Sequence, residues 1–284
     1  MDIFDAICHS LTTLASGGYS TKNTSIAYWS SPVIHYIIIF FMIIAGTNFS
    51  LLYGAMIRKQ GKRLVQDEEF KTYLYSILGA SLVVAIGLIC TRNFEGFKSV
   101  ELAFRDALFQ IVATMTTTGF CTSDYMSWHP ILLLTILLII PMGATAGSTS
   151  GGIKIIRLHI VAKNIFYEFK RVMHPKAIRP VRVNRRIVSE NTLSNTYVFI
   201  SIFIIITVVS TIIMMFCGLT STEALGCSLS SIANVGPSIG GFGPTGTYAA
   251  LPDFAKWYLS VLMLIGRLEL FTILILFLPS FWRK

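Results

Sequence analysis

The chain has 284 residues, of which 54% are hydrophobic and only 13% charged, with a formal net charge of +9. A soluble domain carries about a quarter charged residues, so this balance excludes one and predicts an all-α integral membrane protein. Most of the 23 lysines and arginines lie at Arg58 to Lys71, Lys154 to Arg186 and Arg283-Lys284, alternating with cation-poor segments. That alternation marks cytoplasmic loops facing anionic membrane lipid or a cytosolic partner, so no nucleic-acid partner is expected.

Residues 2–14 form a first short helix, followed by a loop at Ser16-Gly17-Gly18-Tyr19 and a polar external turn through Trp29. Val33 to Ile57 is the first span, long enough for a bilayer, and it leads into the cytoplasmic run from Arg58 to Arg63. His35 and Asn48, in or near this span, are read as interhelical hydrogen-bonders. Tyr73 to Cys90 is the second span, followed by an external loop around Arg92 and a second short helix from about Glu101. That helix ends in Ala113-Thr114-Met115-Thr116-Thr117-Thr118-Gly119-Phe120, and it needs only half the bilayer to reach this run, so it is re-entrant.

Ile131 to Met142 is apolar, but at about 1.5 Å per residue it falls well short of the roughly 30 Å hydrocarbon layer. Gly143-Ala144-Thr145-Ala146-Gly147-Ser148-Thr149-Ser150-Gly151-Gly152 interrupts it, and helix resumes from Ile153 through Phe169. So many small residues at membrane depth suggest a gate or hinge across the conduction path, with a packing kink as the alternative. A phosphate loop does not fit, because Ile153 separates Gly152 from Lys154. Lys154 to Arg186, broken by Pro175 and Pro180, is a basic cytoplasmic surface: either a docking site or an orientation signal. Thr196 to Leu219 is the next span, followed by a third short helix, the loop Asn234-Val235-Gly236-Pro237 and a glycine-rich external turn. Trp257 to Trp282 is the last span, giving about five membrane-spanning segments and three re-entrant pore helices. Inside it, Arg267 pairs with Glu269 or another carboxylate, or projects toward the path as an electrostatic barrier.

The three short helices are copies of one unit. Thirteen residues before Gly18, Gly119 and Gly236 stand Asp5, Asp106 and Glu223, each followed by alanine and an aliphatic residue. An acid at the start of each helix complements the positive end of its dipole, and the negative end then points at the glycine loop. Small residues and glycine let consecutive backbone carbonyls turn toward one line, where they replace the hydration shell of a cation. The candidate filter is therefore Ser16, Gly17, Gly18, Thr116, Thr117, Thr118, Gly119, Asn234, Val235 and Gly236, with backbone at Gly18, Gly119 and Gly236 as the ion ligand.

Nothing resembles a catalytic site. His9, His35, His129, His159 and His174 are dispersed, and the five cysteines lack metal-ligand spacing and read as small core residues. The chain is not expected to be an enzyme. A Na+- or H+-coupled secondary transporter is the rival reading, since such proteins also use broken helices; within the spans only Glu269 qualifies as a coupling carboxylate.

Helix, re-entrant helix, glycine loop and helix, with the threonine run, Pro141 to Lys154 and Asn234 to Pro237, resemble the Trk/Ktr/HKT superfamily of potassium transporters. The resemblance covers essentially the whole chain and is closest to the bacterial TrkH-type membrane subunit. It implies K+ as the transported ion and a multi-pass protein of the bacterial inner membrane. It also implies a homodimer and a cytosolic nucleotide-binding regulatory subunit of TrkA type. Gly18, Gly119 and Gly236 become filter glycines by this resemblance. Gly143 to Gly152 with Lys154 becomes the gating loop, and Arg267 the last-helix arginine that faces it. The family carries four such repeats, whereas three loops are visible here, so the chain is expected to be an N-terminally truncated portion. On that division residues 1–72 hold the rest of repeat 2, residues 73–186 hold repeat 3 and residues 187–284 hold repeat 4.

Overall fold

Short helices stop at small residues and long ones run where no breaker intervenes. The structure is a computed structural model, and it describes residues 1–92, 97–174 and 180–282. Pro175, Arg283 and Lys284, to which the sequence reading gave a break and cytoplasmic charge, lie outside the described residues. Helix α1 (Ile3–Leu14) is followed by α2 (Pro32–Ala45), α3 (Phe49–Met56), α4 (Gly61–Gln66), α5 (Glu68–Arg92), α6 (Phe97–Met115), α7 (Pro130–Ile139) and α8 (Ile155–Met173). A two-residue hairpin, β1 (Arg182–Val183) with β2 (Arg186–Ile187), interrupts the helices. Asn184 and Arg185 both take positive φ there, as a tight primed turn requires. Helices α9 (Glu190–Phe216), α10 (Ser221–Ala233), α11 (Asp253–Arg267), α12 (Leu270–Leu276) and α13 (Pro279–Trp282) complete the chain.

Among the described residues, α5 and α9 are long and apolar enough to cross a bilayer unbroken. Two expected spans are bent instead. The Val33–Ile57 span divides into α2 and α3 at an angle of 106°, and the Trp257–Trp282 span divides into α11 and α12 at 114°. Counting each bent pair as one crossing gives four. The interrupted pair α7 and α8 stands where a further span was expected. Asn48 causes the first bend: its Oδ1 accepts from the amides of Ser50 and Leu51 at 2.8 and 3.3 Å, starting a new helix inside an apolar run. Asn48 is thus a cap, in place of the interhelical bond expected of it. His35 is also bonded differently from expectation, placing Nε2 2.7 Å from the Trp29 carbonyl in the preceding turn. At the second bend Glu269 sits at φ +60°, a left-handed residue that closes α11 before α12.

The packing repeats along the chain. Helix α6 lies between α5 and α7, α10 lies between α9 and α11, and α1 packs on α2. One apolar core gathers Met42, Tyr73, Ile77, Phe109, Met115 and Ile136. A second gathers Phe199, Phe203, Met214, Leu259 and Leu262. Ala233 and Val235 belong to the first core although they end α10, so the third loop joins the two. Leu78, Leu82 and Ile86 of α5, with Ile204, Ile205 and Val208 of α9, are exposed, as lipid-facing positions are.

Candidate functional site

Each short helix ends in the same backbone. Ser16, Thr117 and Asn234, all two residues before the loop glycine, adopt left-handed φ of 51°, 54° and 60°. Their amides bond to the carbonyls of Thr13, Thr114 and Ser231 at 3.2, 3.0 and 3.2 Å. The next amides, of Gly17, Thr118 and Val235, reach back to Thr12, Ala113 and Ser230 at 2.8, 2.9 and 3.0 Å. These paired bonds form a Schellman closure that reverses the chain immediately after the last turn. Gly18, Gly119 and Gly236 follow at φ +66°, +79° and +101°, where an L side chain is strained.

The loops are nested in one direction. A Cβ on Gly18 would overlap the Thr118 carbonyl oxygen, and one on Gly119 would overlap that of Val235. A Cβ on Gly236 would meet nothing within 4 Å. The outer limbs repeat the relation. The Ala27 amide donates to the Cys121 carbonyl at 3.1 Å, and the Tyr125 hydroxyl donates to the Ser238 carbonyl at 2.6 Å. Both acceptors lie two residues past their glycine. Tyr248 donates to the Gly236 carbonyl itself at 2.9 Å. The threonine hydroxyls serve the backbone: Thr114 donates to Gln110 and Thr116 to Val112, at 2.8 and 2.7 Å. Thr116, Thr117 and Thr118 are all buried.

Asp5 and Glu223 stand in the first turns of α1 and α10, as expected, whereas Asp106 does not. Asp106 lies nine residues into α6, beyond the first turn, so its helix is longer than predicted and the dipole argument fails there. Asp5 Oδ1 accepts from Thr21 at 2.6 Å and Asp106 Oδ1 from Thr122 at 3.3 Å, and both threonines lie three residues past their glycine. Glu223 accepts from the Gly241 amide at 3.1 Å. Each acid therefore ties the outer limb of its loop to its own helix. Glu223 also completes a capping box with Thr220, and these bonds hold its carboxyl below the usual range.

Directly against the three left-handed residues lies the segment Gly143 to Gly152. The Gly151 amide donates to Thr117 Oγ1 at 2.7 Å, and Thr149 Oγ1 lies 2.6 Å from Ser16 Oγ. A Cβ on Gly151 would overlap the Ala233 carbonyl and crowd Asn234. The loop is closed on itself: Ile153 bonds both sides of its neck, its carbonyl accepting from the Gly143 amide and its amide donating to the Pro141 carbonyl, both at 2.8 Å. Ser148 and Ser150 hydroxyls meet at 2.9 Å, and Ser150 Oγ accepts from the Ala144 amide at 3.1 Å. Thr145 donates twice to the Gly46 carbonyl at the first bend, and the Gly147 carbonyl accepts from Phe49 N. Lys154 Nζ bonds the Ser150 carbonyl.

Arg267 reaches this loop. Its Nη1 donates to the Thr149 carbonyl at 2.7 Å. The expected alternative, a pair with Glu269, is not formed: Glu269 bonds Arg157 at 2.9 Å, and that guanidinium stacks 3.8 Å from the Phe199 ring. The loop, Lys154, Arg157, Gly266, Arg267 and Glu269 line a cavity of about 300 Å³. Glu69, Tyr125 and Arg157 escaped the sequence reading. The available signal for Glu69 was a carboxylate entering an apolar span, where charge is costly.

These features define a class: an all-helical membrane protein in which a short helix closed by a glycine loop recurs along the chain. The chain belongs to the TrkH cation transport protein family, whose model matches residues 1–284. It is 34% identical over 287 residues to the Trk system potassium uptake protein TrkH of Escherichia coli K12, covering 100% of this chain and 58% of that protein. It is 32% identical over 284 residues to TrkH of Halomonas elongata, again covering 58% of the relative. The crystal structure of the potassium transporter TrkH from Vibrio parahaemolyticus superposes with a TM-score of 0.92 at 33% identity, covering 100% of this chain and 60% of that one. The chain thus spans under two thirds of the length of these relatives.

Proposed function

We propose that this chain carries three of the four pore loops of a potassium uptake protein, in which K+ passes single file between the loops. Dehydration is compensated by backbone carbonyls at Gly18 and Gly119 and at Gly17, Thr118 and Val235, as carbonyl rows do in cation filters, whereas the Gly236 carbonyl, expected among them, is taken up by the Tyr248 and Ser230 hydroxyls. The observation that carries this reading is the nesting of the loops, Gly18 closing on the carbonyl before Gly119 and Gly119 on the carbonyl before Gly236. The fourth loop, contributed by a preceding repeat, closes the ring beside Gly236 and Gly17. The names of the relatives support potassium as the ion.

Gly143 to Gly152 is the gate, lying against the inner ends of the filter helices, with Lys154 and Arg267 holding it from two sides. The repeats divide as 1–72, 73–186 and 187–284. The protein is a multi-pass component of the bacterial inner membrane, with five crossings counting the interrupted α7 and α8 as one, and it acts as a homodimer. A TrkA-type regulatory subunit docks on the basic cytoplasmic face formed by the Arg58 to Lys71 loop and the Arg182 to Arg186 hairpin.

The test is growth at low K+ and Rb+ uptake in cells lacking their own K+ uptake systems, using the complete product of the gene that encodes this chain. Rescue abolished by Gly119→Ser supports the filter. Uptake that is unchanged by Gly119→Ser contradicts it.

A further inference from the structure

Glu69 is a carboxylate that the conduction path does not require. It stands in the first turn of α5 and is 7% exposed, and its Oε1 accepts from the Ala146 amide at 2.6 Å. The Ile156 amide, in the first turn of α8, also faces it. One carboxylate thus meets the loop before its tip and the helix that follows it. The remaining anchors of the loop are neutral bonds, apart from Lys154 and Arg267, and both of those cations bind carbonyls. Glu69 is therefore the single carboxyl acceptor for the loop's backbone among the described hydrogen bonds. A buried amide that loses its acceptor costs the full desolvation of that group.

We infer that Glu69 is a positioning residue for the gate, a latch on α5 that fixes the Gly143 to Gly152 loop in place against the filter helices. Its position explains how a glycine-rich segment, with high intrinsic backbone freedom, holds one conformation at membrane depth. It also couples the loop to the cytoplasmic end of α5. Neighbouring Glu68 there bonds Lys163 of α8, and its amide donates to Asn184 of the hairpin at 2.8 Å. Displacement of the hairpin by a bound partner then has a direct route to the loop through one turn of helix.

The latch rests on the gate reading of this loop, so the experiment separates the two. Hydrogen exchange is followed in the purified protein for the peptide over residues 143–152, with the peptide over residues 221–233 as an internal control. Glu69→Gln keeps the shape but removes the charge, and Glu69→Ala removes the acceptor. Exchange in 143–152 is expected to quicken about tenfold or more in the alanine variant and less in glutamine, with the control unchanged. Unchanged exchange in 143–152, or equal loss of protection in both peptides, overturns the latch. Rb+ flux in the same variants decides the gate: a faster-exchanging loop with raised flux supports it, and a faster-exchanging loop with wild-type flux removes the gate while leaving the latch.

Discussion

Arg267 donates to the Thr149 carbonyl at 2.7 Å, although a carboxylate, Glu269, stands two residues away and is bonded to Arg157. A guanidinium at membrane depth is costly unless paired, and here its described hydrogen-bond partner is backbone of a loop that lies against the three glycine loops. Replacing Arg267 by alanine removes both a positive charge beside the path and one of the two cationic anchors of the loop. Rb+ flux through the complete protein is expected to rise several-fold in Arg267→Ala. Arg267→Lys keeps the charge but loses the planar donor geometry, and it is expected to give an intermediate flux.

The three loop glycines differ in how much a methyl group costs. Gly18 and Gly119 combine positive φ with a carbonyl in the space a Cβ would fill, whereas at Gly236 only the backbone conformation resists. Gly236→Ala is expected to cost about 1–2 kcal/mol from strain alone. Gly18→Ala and Gly119→Ala must also push a neighbouring loop aside, so they are expected to lower the thermal midpoint further and to abolish the discrimination of Rb+ over Na+. Thermal unfolding of the three variants side by side checks the order.

The bond from Thr21 to Asp5 ties the outer limb of the first loop to its helix, and Asp5 is buried. Thr21→Val keeps the shape and leaves the carboxylate with one fewer donor, so about 1–3 kcal/mol of stability is expected to be lost. Thr122→Val tests the equivalent tether at the second loop. Its bond is longer, at 3.3 Å, so the loss is expected to be smaller.

Glu223 supplies a pH dependence at the third loop. Its carboxyl is held below the usual range by Thr220 and the Gly241 amide. A lowered folded-state pKa means the stabilisation is fully present above the ordinary carboxylate pKa, about 4.3, and is lost as pH falls through the lower folded value. Thermal midpoints measured between pH 7 and pH 3 are expected to fall less steeply in Glu223→Gln than in the parent protein.

The spacing from acid to glycine made the repeat legible, because the acid that ties the outer limb and the reversed chain that ends the helix must stand a fixed number of residues apart each time. The left-handed residue two places earlier was harder to see, since Ser16, Thr117 and Asn234 share only small polar side chains and only Asn readily adopts that conformation. The bends at α2/α3 and α11/α12 were hidden because hydropathy averaged over a span-length window stays high across Gly46-Thr47-Asn48 and Gly266-Arg267 despite their polar residues. Hydrophobicity reports the solvent around a helix and is silent on its axis. Asn48 was visible, but a cap looks the same in sequence as an interhelical bond. The pairing of Arg157 with Glu269 spans 112 positions, a relation no local pattern encodes.

The central claim is that the three glycine loops share one cation path. The most direct measurement is anomalous scattering from crystals of the complete protein grown in Rb+. The account predicts peaks on the axis enclosed by Gly18, Gly119 and Gly236. Ordered Rb+ found elsewhere in the protein, with none between these loops, would contradict it.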